Sequence, residues 1–309
     1  MLEQQCGDAC YMQFDQYHPF PSLVHGIFTR EGGYSQAPYH SLNVSLSSGN
    51  ERFEDAVRNR FLALQCLDLV EYPCATMGMI HSWRVLTLDG EPWPDWHDDW
   101  PHRAYAMDMP GYPQGTMLQW TFKPRTQGDA LITRQRGVAL TLSTADCAPL
   151  LFFDPVTEAI GIAHAGWRGT ARGIAAATVA AMSEQFGTRP ADLLAGIGPS
   201  IGPCCYEVSD EVQHIFQGQH AFAELPTEER YRQLVAQSAI FETVQLPEKE
   251  SLRLNIWETN RKQLLLAGLT PEHIELPDVC TSCAKERFFS HRADQGLTGR
   301  FPAILALRP

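Results

Sequence analysis

The sequence predicts a mixed α/β fold, one large domain with a layered sheet core, peripheral helices and two insertions. Three observations carry that prediction. Short apolar runs at residues 138–142, 150–153 and 159–163 have the length and composition of buried strands rather than of helices. An alanine-rich stretch, residues 171–186, follows at once and stops at Gly187 and Pro190, as a helix does. Finally, 309 residues with 44% hydrophobic composition are enough to fill a large core.

Each element follows from local chemistry. In the first 50 residues, short apolar stretches alternate with turn residues at 19–21, at Glu31-Gly32-Gly33 and at Ser47-Ser48-Gly49-Asn50, a pattern of strands and loops. Residues 51–67 place Phe53, Val57, Phe61, Leu62 and Leu64 at near-helical spacing, with acids early, as a helix dipole favours. Residues 89–127 have no steady period. Four of the seven tryptophans (Trp93, Trp96, Trp100, Trp120) stand there among prolines and aspartates, which reads as a long inserted loop, either a lid or a surface excursion pinned by its rings. The turn at 143–149 joins the first two central strands, and Gly166-Trp167-Arg168-Gly169-Thr170 leads from the third into the alanine-rich helix. Residues 193–197 read as a strand and 210–216 as a helix. The polar, turn-rich residues 217–250 read as a second insertion, 252–266 as a helix and 301–307 as a closing strand. There is no internal repeat and no low-complexity tract.

Composition narrows the function. A net charge of -12 and an isoelectric point near 5.3 provide no basic footprint for nucleic acid and would repel an anionic membrane surface. An anionic substrate therefore has to be met by a few placed arginines. The longest helix-like apolar run, residues 174–182, is about half of what a bilayer requires, so no membrane span is expected. No Lys or Arg precedes Arg30, and Cys6 and Asp8 interrupt any apolar stretch, which argues against a secretory signal. Nine cysteines, an odd number, suit reduced thiols better than a disulfide framework, and the expected location is cytoplasmic.

Two turns carry the candidate chemistry. Thr144-Ala145-Asp146-Cys147 and His164-Ala165-Gly166-Trp167-Arg168-Gly169 each place a metal ligand or nucleophile at the end of a buried strand. One thiolate and two imidazoles form a donor set that zinc accepts while keeping a position for a water that ionises near neutral pH. Spacing alone does not choose the third ligand among the histidines. Other readings stay open: Cys147 as a small buried hydrophobe, or as a covalent nucleophile activated by His164 without metal. Gly198-Pro199-Ser200-Ile201-Gly202 matches the nucleophile-elbow pattern, but Pro199 restricts the strained turn that pattern needs. Cys280-Thr281-Ser282-Cys283 has the spacing of half a zinc knuckle; lacking a second such pair it reads as two free thiols, while adjacent Cys204 and Cys205 read as packing residues.

Taken in order, Thr29-Arg30-Glu31-Gly32-Gly33-Tyr34-Ser35, Pro38-Tyr39-His40-Ser41-Leu42-Asn43, the two turns above, Gly198-Pro199-Ser200-Ile201-Gly202-Pro203-Cys204-Cys205-Tyr206, Phe288-Phe289-Ser290-His291-Arg292 and Thr298-Gly299-Arg300 resemble the successive motifs of the YfiH, or laccase-domain, family. The likeness runs from near residue 25 to the carboxyl terminus. It implies a layered α/β/β/α sandwich. It also implies a third ligand, His81, from a Gln-x-His-Gly context that here reads Met79-Ile80-His81-Ser82, with Met79 and Ser82 departing from the pattern. The implied metal site is His81, Cys147 and His164 holding zinc, with Asp146 orienting a ligand or shuttling a proton. Arg30, Asn43, Arg60, Arg168 and Arg292 are candidates for phosphate and substrate contacts, against the alternative of structural ion pairing. Ala293 stands where the family usually has another arginine, and the two insertions are longer than the family pattern.

The implied activity is phosphorolysis of purine nucleosides (adenosine, inosine, methylthioadenosine) together with hydrolytic deamination of adenosine. A peptidoglycan-precursor editing hydrolase is the alternative at the same site, and a binding protein without turnover is a further one. The partners are small molecules, a purine nucleoside and phosphate. The chain has no His-x-His, so a multicopper oxidase is excluded and copper is expected only as an adventitious occupant of the zinc ligands.

Overall fold

The computed structural model describes residues 1–88, 103–107, 116–121, 127–220, 222 and 226–309, with backbone only for 103–107 and 116–121. The chain opens with β1 (Leu2–Cys6), β2 (Ala9–Gln13) and β3 (Leu23–Phe28), then α1 (Phe53–Cys66), β4 (Cys74–Ala75), β5 (Val85–Thr87), β6 (Arg103–Met107) and β7 (Thr116–Thr121). Its centre runs β8 (Ala130–Thr133), β9 (Ala139–Thr144), β10 (Ala148–Asp154), β11 (Ala159–Ala165), α2 (Trp167–Thr170), α3 (Ile174–Phe186) and β12 (Leu194–Ile197). It closes with α4 (Asp210–Phe216), α5 (Glu229–Ser238), β13 (Phe241–Gln245), β14 (Glu250–Leu254), α6 (Ile256–Leu266), β15 (Ile274–Glu275) and β16 (Phe301–Leu307).

An eight-stranded sheet, ordered β1-β2-β3-β16-β9-β4-β7-β6, packs face to face on a six-stranded sheet ordered β15-β12-β10-β11-β8-β5. Strand alternation builds the layers. In β10, Leu151 and Phe153 point between the sheets, while Leu150 and Phe152 face α3 and α6. In β16, Phe301, Ala303, Leu305 and Leu307 point between the sheets, and Ile304 and Ala306 face Val57, Phe61 and Leu64 of α1. The result is the layered sandwich that the motifs implied, helix on sheet on sheet on helix. Because both faces of the central strands are covered, their sequences are almost continuously apolar.

Several expectations need correction. Within 89–127 the chain pairs β6 with β7, Met107 opposite Thr116, and β7 extends the first sheet beside β4. Strands of five and six residues are too short to register in a window dominated by Pro, Asp and Trp. Trp93, Trp96 and Trp100, with the lid question, lie outside the described residues. Residues 217–250, expected to be polar and turn-rich, hold α5 and β13 and begin β14. The helix expected over 252–266 starts only at Ile256, where Asn255 caps it by accepting a hydrogen bond from the Glu258 amide at 3.1 Å, and residues 252–254 complete β14. The helix expected over 171–186 divides at Gly173, whose φ of +82° no side-chain-bearing residue adopts readily. Not all nine cysteines are reduced: Cys6 and Cys66, 60 positions apart, form a disulfide that ties β1 to the end of α1. Separation along the chain had hidden their proximity in the fold.

Candidate metal centre

Two connections pass from the first sheet to the second and meet: residues 76–84, between β4 and β5, and residues 145–147, between β9 and β10. The first carries His81 and the second Cys147. His164 lies within β11, where Pro149 pairs with it and Ala148 with Ala165, so Cys147 arrives beside it by strand register. One ligand atom each from His81, Cys147 and His164 falls within 4.8 Å of the others, and the two imidazoles meet at 69° with centroids 5.0 Å apart. His164 is buried and the other two are half-buried.

The backbone is bent to make this possible. His81 has φ +57° and Asp146 φ +79°, left-handed values that L-residues adopt only when hydrogen bonds hold them. Those bonds are present. Asp129, fully buried, accepts from the amides of Ile80 (3.2 Å), His81 (3.0 Å) and Ser82 (2.6 Å), and from the Ser82 hydroxyl (2.7 Å). Its other partner is His164 Nδ1 at 3.0 Å, which leaves Nε2 of that ring toward the site. Gly166 is needed for space, because a Cβ there would lie 2.8 Å from Cys147 Sγ and 3.1 Å from His81 Cδ2.

Electrostatics follow the geometry. Burial would raise Cys147, but the charges and hydrogen bonds of His164 and His81 outweigh it and hold the thiol at about 6. Burial would lower His164, yet the Cys147 charge and the hydrogen bond to Asp129 lift it to about 10. Thiol and imidazole thus favour each other's charged form. A divalent cation fits this donor set: one soft sulfur and two imidazoles that converge, one of them backed by a carboxylate.

The other candidates are distributed differently. Asp146 accepts from Thr281 Oγ1 (2.7 Å) and from the Arg292 amide (2.6 Å); the carboxylate that orients an imidazole is Asp129. Arg30 donates to the carbonyls of His40 (2.7 Å) and Lys285 (2.9 Å) and lies over Phe289, and Arg60 donates to Val44 O at 2.8 Å. Asn43, fully buried, bonds Glu51, the Ser45 amide and the Arg300 amide. These three brace the 29–45 loop. Arg168 is exposed and stacked on Trp167, and Arg292 reaches Cys205 O (3.3 Å) and Glu207 O (2.9 Å).

Sequence reasoning missed Asp129, Ser82, Arg172, Tyr206 and Arg300 as site residues. Arg172 is buried, donates to His81 O and lies 3.7 Å under the Phe222 ring. Tyr206 is raised far above the usual phenol range by burial and by the Cys147 charge. Burial lowers Arg300, while the negative charges of Cys147 and Asp146 pull it up. Ser82, Tyr206 and Arg300 stood within the recognised motifs, Ser82 only as a departure from the family pattern; a lone Asp before a strand carries no signal.

A family model described as multi-copper polyphenol oxidoreductase laccase matches residues 24–308. The chain is 34% identical over 294 residues to the purine nucleoside phosphorylase YlmD of Geobacillus stearothermophilus, covering 94% of this chain and 92% of that one. It is 29% identical over 279 residues to the purine nucleoside phosphorylase YfiH of Escherichia coli K12, covering 90% and 91%. The crystal structure of YlmD from Geobacillus stearothermophilus superposes with a TM-score of 0.74 at 31% identity, over 99% and 98% of the two chains. Motif order, sandwich architecture and these matches agree, and the chain belongs to the YfiH, or laccase-domain, family.

Proposed function

We propose that the protein is a zinc-dependent purine nucleoside phosphorylase acting on adenosine, inosine and methylthioadenosine, with adenosine deamination as a second activity at the same site. The observation that carries this reading is the convergence of His81, Cys147 and His164 within 4.8 Å. The names of the relatives, purine nucleoside phosphorylase in each case, support the reaction class.

His81, Cys147 and His164 would hold the ion, which when bound supplies a Lewis acid and an ionisable water. The surrounding side chains do the rest. Asp129 keeps the Nδ1 proton of His164 and so fixes the ring. Arg172 ties the His81 carbonyl in place and packs on Phe222. In phosphorolysis a phosphate oxygen bonds C1′ of the ribose as the C1′–N9 bond breaks, and the base leaves with a proton. Arg168 and Arg292, whose charges act on Tyr206, and Arg300, which feels the charges of Cys147 and Asp146, would hold phosphate, and Asp146 would steady that wall through Thr281 and Arg292. Tyr206 keeps its proton and can donate to the departing base. In deamination, water adds at C6 of adenine and ammonia leaves.

The seven free cysteines, against one disulfide, support a reducing, cytoplasmic setting. No described helix is long and apolar enough to cross a membrane.

The test is to incubate pure protein with adenosine, with and without phosphate, and separate the products. Adenine and ribose 1-phosphate formed only with phosphate are expected, together with slower, phosphate-independent inosine. Loss of both after chelation and in His81→Ala supports the reading. Full activity in metal-free protein that is abolished by alkylating Cys147 would replace it with the thiol mechanism, and binding without any product would replace it with a non-enzymatic role.

A further inference from the structure

The described residues hold a second cluster of ligand atoms, away from the three above. Cys204, Cys205, Cys280 and Cys283 bring all four sulfurs within 4.8 Å of one another, with Cys283 Sγ 3.4 Å from both Cys204 Sγ and Cys205 Sγ. None is disulfide-bonded. The spacing of 280 and 283 was legible as half a knuckle; the other half is an adjacent pair some seventy-five residues earlier, which no spacing rule selects.

We propose that these four cysteines form a tetrathiolate site for one zinc ion, independent of the His81, Cys147 and His164 centre, which pins the 199–206 loop to the 280–292 segment. Four sulfurs at about 2.3 Å from a tetrahedral zinc lie about 3.8 Å apart, so the thiols need only small adjustments to take the ion. An all-sulfur set selects a soft or borderline metal over magnesium or calcium. The loops are already folded for it. Gly202 donates its amide to Cys280 Sγ at 3.1 Å, Thr281 donates to Ser200 O at 3.1 Å, and Ser200 and Cys280 form a parallel bridge. A Cβ on Gly202 would lie 3.1 Å from the Cys280 Cβ and 2.9 Å from the Trp257 ring, so this approach requires glycine.

Access and charge also fit. Cys280 is buried, Cys205 half-buried, and Cys204 and Cys283 are exposed, which gives an entering ion a path. Zinc binding forms four Zn–S bonds, releases the thiol protons and leaves a net charge of -2, with no oxidant needed. Two guanidiniums stand beside it: Arg253 donates to Cys204 O, and Arg292 to Cys205 O.

The site has a mechanical role. Thr281 and Arg292 are the two donors to Asp146, and the Ile201 amide donates to Asp146 O at 3.0 Å. Pinning these loops therefore fixes the turn that presents Cys147.

Metal counting tests the proposal without relying on activity. Wild-type protein loaded with zinc under reducing conditions should retain two ions per chain, Cys147→Ala one, Cys283→Ser one, and the double variant none. Because Cys283→Ser can fail to fold, the folded Cys147→Ala protein is also loaded with cobalt, where an intense sulfur-to-cobalt charge-transfer band with tetrahedral ligand-field absorption is expected. Cys147→Ala protein that holds no zinc, or cobalt without that band, overturns the proposal. So does a loss of two mass units that marks a disulfide among these cysteines in freshly reduced protein.

Discussion

Asp129 has no exposure to water, yet it carries a charge that five groups share. Burial pushes its carboxyl up, but the hydrogen bond and charge of His164 and the donors of Ser82 outweigh that and hold it below the ordinary range. Asp129→Asn keeps the shape and turns one acceptor into a donor that faces amide N–H groups. Zinc affinity should fall about 10- to 100-fold, as measured by competition with a chromophoric chelator, and an unchanged affinity would remove the orienting role. Gly166→Ala acts differently, by pushing Cys147 Sγ from 2.8 Å contact with the new methyl. A ligand displaced by about 1 Å should reduce kcat about 100-fold while the protein unfolds at nearly the wild-type temperature. Cys147 and Asp146 stood out because they occupy a recognisable turn and His81 only through the family resemblance, whereas Asp129 and Arg172 act through a backbone loop that only the folded chain brings to them.

Strands β9, β10, β11 and β16 were legible because both faces are covered, so burial writes an uninterrupted apolar run. The pair β6 and β7 was not, since β6, at the sheet edge, is ordered by its partner's backbone and both strands are short, leaving a weak trace in composition. Chain direction was also invisible: nothing in residues 143–149 says that the turn changes sheets, although β9 and β10 belong to different ones. Leu305, fully buried in the central strand β16, faces the interior between the sheets. Leu305→Ala should cost about 2–5 kcal/mol in urea unfolding, and a value under about 1 kcal/mol would show that the inter-sheet layer collapses around the void.

For the molecule as a whole, acid sensitivity can be assigned in part to one buried histidine that is not among the three ligand candidates. Burial, with a smaller push from the His18 charge, lowers His25 to about 3, and its Nε2 accepts the Phe14 amide at 2.7 Å. The unfolded chain takes up a proton at this residue below pH 6.5 and the folded one does not. Stability from the neutral ring is therefore complete above pH 6.5 and is lost as pH falls toward about 3, by up to about 1.4 kcal/mol per pH unit. His25→Gln removes this titration. Its deficit against wild type at pH 7 should shrink at pH 4.5, whereas parallel stability curves would assign the acid limb to other groups.

The crossing connections have a further consequence. His81 and Cys147 lie on passages from one sheet to the other and His164 belongs to the second sheet, so an ion shared by the three would act as a rivet through both leaves of the sandwich. Withdrawing it should let the leaves breathe against each other, and amide exchange should quicken in β4 and β11 together while the far strands β1 and β15 keep their protection.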